Sequence, residues 1–259
     1  MSTWALARLI AAKDLRVERR SKIVTNQVLP FAGITMVSFA FVLDKQNVID
    51  TVAPGLIWLA TMFSLLILVQ RSFGIETDDG ALDAMRVAGV DAGAIFLGKA
   101  LALAVQLLVL EVMLFVAAII FYGESIQSGR AVLAFFNEPT DVNGVEVVLA
   151  GLTSPGQSPI FATVLLVTTM ISATCGLAAV GTLYGGLAAG FKGSETLLPL
   201  LTIPAVAPVL IGATKAVESA VGTSGAAVSE GWQWVSLLAV FAVAAGVGGA
   251  LAFGPLIDD

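Results

Sequence analysis

Residues 95–122 read IFLGKALALAVQLLVLEVMLFVAAIIFY, and their only charges are Lys99 and Glu111. About 20 apolar residues suffice for a helix to cross the hydrocarbon core of a bilayer. This run is longer, so it either tilts or protrudes. Working outward, comparable apolar runs occupy 23–43, 52–70, 160–183, 197–213 and 234–253. In lipid every backbone polar group must be satisfied within the segment, which a helix does alone. The sequence therefore predicts an all-α integral membrane protein, one domain over 1–259 with six transmembrane helices. The fifth run is short and carries Pro199, Pro204 and Pro208, so a kinked or re-entrant segment is expected there.

Composition agrees. The chain is 58% hydrophobic and 12% charged, with a mean hydropathy of +0.95, against about 25% charged residues in ordinary soluble domains. Histidine is absent, which removes the usual general base, the commonest zinc ligand and the usual haem axial ligand. Cys175 is the single cysteine. It excludes an intrachain disulfide and a cysteine-based metal cluster, and its apolar setting suggests a small buried side chain. The net charge is −6, and no basic tract with interleaved aromatics suggests nucleic-acid binding.

The segments between the runs give the orientation. Residues 3–22 read as an interfacial amphipathic helix on the membrane surface. Leu6, Leu9, Ile10 and Val17 lie roughly on one face, and Arg8, Lys13, Arg16, Arg19, Arg20 and Lys22 supply the polar side. The strongest charge cluster follows the first apolar stretch, so a cleaved signal peptide is not expected. With the N-terminus inside, Arg71, Arg86, Lys99 and Lys192 join these cations on the cytoplasmic side. Only Lys45, Arg130 and Lys215 fall outside. That bias matches the positive-inside rule and returns the C-terminus to the cytoplasm. Trp58, Trp232 and Trp234 are candidate interface anchors.

Two connections stand out. The cytoplasmic loop 71–94 contains a short helix signal over 80–88, with Asp78 or Asp79 to cap it and Gly89 at its end. The external loop 123–159 carries turn signals such as Asn137-Glu138-Pro139-Thr140-Asp141.

Few residues suggest chemistry. Gly93-Ala-Ile-Phe-Leu-Gly98-Lys99-Ala100 nearly matches a phosphate-binding loop. Ala100 lacks the hydroxyl that helps hold Mg²⁺, and no strand precedes the segment. The start of a span, with Lys99 at the headgroups, explains it better. Glu111 sits near mid-span, where a charge is costly. It is either a pathway or gating residue or a structural hydrogen-bonding group. Gly181-Thr-Leu-Tyr-Gly185 and Gly186-Leu-Ala-Ala-Gly190 allow close helix approach. Asp78, Asp79 and Asp83 fit a solvated, capped helix better than a metal site. Neither a catalytic triad nor a paired-carboxylate site is evident, so the chain reads as no enzyme, with no cofactor or metal bound by it alone.

The loop after the second run carries a resemblance. It reads Arg71-Ser-Phe-Gly-Ile-Glu76-Thr-Asp-Asp-Gly80-Ala81-Leu82-Asp83, then Ala94-Ile95-Phe96-Leu97-Gly98-Lys99-Ala100-Leu101. This is similar to the B subunit family of the cytochrome c maturation haem exporter (CcmB), within the ABC-2 or type V exporter-like permeases. Lys13-Asp14-Leu15-Arg16-Val17-Glu18-Arg19-Arg20-Ser21 and Glu195-Thr-Leu-Leu-Pro199-Leu-Leu also resemble the family. The external loop is longer than the family's, and Phe191-Lys192-Gly193-Ser194 is less basic than its equivalent.

The resemblance implies a permease subunit in a bacterial inner membrane, paired with a second copy of itself and with an ABC ATPase (CcmA-like) that binds ATP and Mg²⁺. It implies a complex with a haem-handling membrane subunit, a small membrane protein and a periplasmic haem chaperone, with haem possible in the complex. ATPase coupling would fall to Glu76, Gly80, Leu82, Asp83, Met85 and Arg86, and Lys192 and Glu195 would mark a second cytoplasmic loop. Without histidine, this subunit is expected to transduce motion rather than ligate haem. The alternatives are an ABC-2 exporter of a lipid or drug, an ion-coupled secondary transporter using Glu111, and a membrane scaffold.

Overall fold

The computed structural model describes residues 2–22, 24–42, 46–78, 80–122, 159–189, 194–222 and 226–258. These form helices α1 (Thr3–Ser21), α2 (Leu29–Val42), α3 (Gln46–Asp78), α4 (Ala81–Val87), α5 (Ala92–Tyr122), α6 (Pro159–Ala189), α7 (Ser194–Val221) and α8 (Val228–Asp258). Most of the 123–159 loop, expected to be external, together with Lys192, lies outside the described residues.

Among the described residues, five stretches are long and apolar enough to cross a membrane: Val52–Glu76, Ala92–Ala118, Phe161–Ala189, Leu197–Val221 and Val228–Pro255. The first expected span, 23–43, is built differently. A π-helical turn, Val24–Val28, precedes the 14-residue α2. Pro30 supplies a cause. It has no N–H to offer the residue 26 carbonyl, and its ring crowds that carbonyl, so the backbone widens there.

Several helices run longer than the sequence reading gave, two of them most tellingly. The second span was expected to end at Gln70, yet α3 runs unbroken to Asp78. The fifth was expected to be short. Instead α7 is a 28-residue helix that contains all three prolines. Prolines are tolerated in membrane helices where neighbouring groups satisfy the freed carbonyls.

The bundle centres on α3 and α6. Helix α6 packs against α3, α5, α7 and α8, and α3 also packs against α5 and α7. Leu65, Leu107, Leu110, Leu177, Val206 and Leu238 are fully buried between them. Close approach needs glycine: a Cβ at Gly185 would fall 2.6 Å from Phe73 and Val69 on α3. The Gly181–Gly185 pair is therefore intrachain packing of α6 on α3. Four buried hydroxyls are satisfied locally: Thr61, Ser64, Thr169 and Thr182 each donate to the carbonyl four residues back.

Two side-chain expectations are corrected. Trp58 is fully buried inside the bundle rather than anchored at an interface. Cys175 lies exposed on the outer side of α6 rather than in the core.

Candidate coupling site and its buried charges

Helix α4 sits between two left-handed turns, Gly80 (φ 62°) and Gly89 (φ 69°). Glycine occupies this conformation without the Cβ clash other residues meet. Asp91 then caps α5, its Oδ2 accepting from Ala94 N at 3.2 Å. The short helix is thus pinned between the end of α3 and the start of α5. Its half-buried Met85 packs against the core, whereas Ala84 and Val87 face outward. Val87 is 90% exposed. Leu82, Asp83 and Arg86 are on α4, but their side chains fall outside the described residues, as does that of Glu195 on α7.

Glu76 is not on that outward surface. It is buried, and its Oε2 faces Lys99 Nζ of α5 at 2.7 Å, a charge contact without directed hydrogen-bond geometry. Lys13 of α1 donates to Glu76 Oε1. Lys99 also lies 3.6 Å from Asp14 Oδ2, and Lys13 lies 3.2 Å from Asp14 Oδ1. Lys99 is fully buried, donates to Ser72 Oγ at 3.3 Å, and sits 4.5 Å from the centre of the Phe73 ring. The expectation that Lys99 reaches the headgroups is corrected: it is sealed inside a junction of α1, α3 and α5.

The junction holds two cations and two anions, so it is neutral. That balance permits burial, because isolated charges in a low dielectric cost several kcal/mol each. For Lys13, burial works against the charge, but Glu76 and Asp14 outweigh it and raise the pKa above the usual lysine value. A small cavity of about 60 Å³ opens beside the junction, lined in part by Lys13, Asp14, Glu18, Arg71, Ser72 and Glu76.

Helix α1 reaches the junction because Gly98 lets it. A Cβ at Gly98 would lie 2.7 Å from Ile10 Cβ and 2.8 Å from the Ala7 carbonyl oxygen. The face of α1 that packs on the bundle is Ala7, Ile10, Ala11 and Asp14, and of the apolar stripe Leu6, Leu9, Ile10 and Val17 only Leu6 and Ile10 pack on the core. Leu9 and Val17 point outward. Gly98-Lys99, which resembled the end of a phosphate loop, is instead a helix crossing followed by a buried cation. The readable signal was Asp14, an acid at helical spacing from Ala7, Ile10 and Ala11.

Glu111 is fully buried at the contact of α5 with α6. Thr174 Oγ1 lies 2.7 Å from both of its carboxyl oxygens and 2.7 Å from the Met170 carbonyl. Among the described residues, no three potential ligand side chains gather as a metal site.

The architecture defines the class: an all-helical integral membrane protein with a short helix fixed between two of its spans. The model of the CcmB protein family matches residues 5–135 and 147–256, so the chain belongs to the CcmB family. The break in the match, at 136–146, lies in the 123–159 connection. The chain is also similar to "Heme exporter protein B" of Rhodobacter capsulatus. The two are 26% identical over 205 residues, covering 79% of this chain and 78% of that protein.

Proposed function

We propose that this chain is the membrane subunit of an ABC-type exporter that serves haem handling in cytochrome c maturation. Family membership and the name of the Rhodobacter relative support the haem reading. The observation that carries the mechanism is the placement of α4: short, outward-facing at Val87, and fixed to α3 and α5 through the charge junction. A groove in a partner ATPase grips α4 through Val87, Leu82, Asp83 and Arg86. ATP-driven movement of the groove then swings α3 and α5, and α1 follows because Asp14 and Lys13 tie it to both. Glu76 acts inside this lever.

In this reading α2 and its preceding turn form a sixth span, both termini are cytoplasmic in a bacterial inner membrane, and α1 lies at the interface. Two copies pair with two ATPase subunits, which hold ATP and Mg²⁺. This chain carries out no catalysis and does not ligate haem itself.

The test is a tagged chain extracted gently in detergent. An ATPase of about 200 residues, the size of one or two domains, co-purifies and is released by L82E and by D83R. Deleting the gene lowers haem-stained c-type cytochromes, and the wild-type copy restores them. Unchanged cytochromes with the ATPase still bound point to an exporter of another substrate. No ATPase at all sinks the permease reading.

A further inference from the structure

Helix α1 has two acids, and both are occupied. Asp14 is turned inward to Lys99 and Lys13. Glu18 accepts from Val24 N at 2.7 Å, at the turn that leaves α1. The opposite side of the helix keeps its cations: Arg8, Arg16, Arg19 and Arg20 are all exposed, and among the described residues none of them is paired with an acid. A chain of net charge −6 thus presents one wholly cationic helix face.

That face is not simply solvated. Leu9 is 55% exposed and Val17 42%. With Ala12 they line a shallow concavity of about 230 Å³ together with Lys13, Arg16 and Arg20. Its height is set by the junction. Glu76, which Lys13 contacts, is the last residue of the apolar stretch of α3. The concavity therefore lies level with the end of a span, where hydrocarbon gives way to headgroups. Cations interleaved with aliphatic side chains at that level match one chemistry: an anionic phosphate above acyl chains.

We infer that the outer face of α1 is a binding surface for anionic phospholipid headgroups of the leaflet on that side, with Arg16 and Arg20 as the principal phosphate contacts. Apolar packing on α5 and the charge junction orient the helix, and the lipid holds its free face. The inference needs only the membrane reading and stands whatever the cargo is.

The test is native mass spectrometry of the full chain in detergent, titrated with phosphatidylglycerol or phosphatidylcholine of the same acyl chains. The wild type should retain phosphatidylglycerol about tenfold or more in preference. R16Q/R20Q should fall to the phosphatidylcholine level with its thermal unfolding unchanged, since both side chains are exposed. R16K/R20K should keep most of the preference, and K215Q all of it. Equal retention of the two lipids by the wild type overturns the proposal. So does R16Q/R20Q that still prefers phosphatidylglycerol, or a K215Q that loses the preference equally. If R16Q/R20Q sheds the ATPase while its lipid preference persists, the face docks an acidic protein surface and the lipid assignment is wrong.

Discussion

Lys99 Nζ lies 2.7 Å from Glu76 Oε2, with the lysine side chain fully buried and the glutamate side chain 6% exposed. One residue ends the apolar stretch of α3 and the other stands near the start of α5. The chain between them is the segment that carries α4. Any force on α4 is therefore borne by helices already joined through charge.

Breaking this pair from one side leaves an uncompensated buried charge, which costs about 3–5 kcal/mol. K99M and E76Q should each lower the thermal midpoint of the detergent-solubilised protein strongly. The double variant E76Q/K99M should lose less than the sum of the two. An additive double variant would mean that the residues are not coupled.

The crossing at Gly98 has no room for a methyl group, because the nearest atoms belong to α1 backbone and a β-branched Cβ. G98A should cost about 1–3 kcal/mol by overpacking and loosen α1. Trypsin should then cut sooner after Arg16, Arg19 and Arg20. Wild-type cleavage rates in G98A would argue against the contact.

Val87 is exposed but supports no core. V87D should leave thermal unfolding within about 0.5 kcal/mol, as for a surface change, while weakening ATPase co-purification. Loss of both together would instead make Val87 structural.

At Glu111 the neighbouring hydroxyl matters. T174V removes the hydroxyl that donates to this buried carboxyl, at a cost of about 1–3 kcal/mol. E111Q keeps a hydrogen-bonding group of the same shape and should retain stability and ATPase assembly. An E111Q that folds and assembles but abolishes transport would revive the ion-coupled alternative.

Much of the fold could be read because lipid imposes a simple rule: long apolar runs become helices. Residues 95–122 and 160–183 are plain on that basis, and Gly89 marks the end of α4 through its backbone alone. The end of α3 was not legible at Arg71, because polar residues can continue a helix beyond the hydrocarbon once another helix covers them, as Lys99 and Lys13 cover Glu76. The π-helical turn at Val24–Val28 was hidden because the apolar content of 23–43 says nothing of hydrogen-bond register. Pro30 was the clue. The junction was the hardest feature. Lys13 and Glu76 are 63 positions apart, and no periodicity along one helix reveals a partner on another. Glu76 was singled out through family resemblance as an ATPase-coupling residue, and nothing in that resemblance shows that its side chain is buried against Lys13 and Lys99.

The charge junction also has a consequence in time. Ribosomes release this polypeptide from its amino end, so Lys13 and Asp14 emerge well before Glu76, and Glu76 before Lys99. Until α5 enters the bilayer, the first helix has no completed set of neighbours, and its carboxylate must stay in water. Arrival of Lys99 closes the set in one step. Three segments made at different moments thus become mutually dependent, and a chain halted before α5 leaves Asp14 and Glu76 to share the single cation of Lys13.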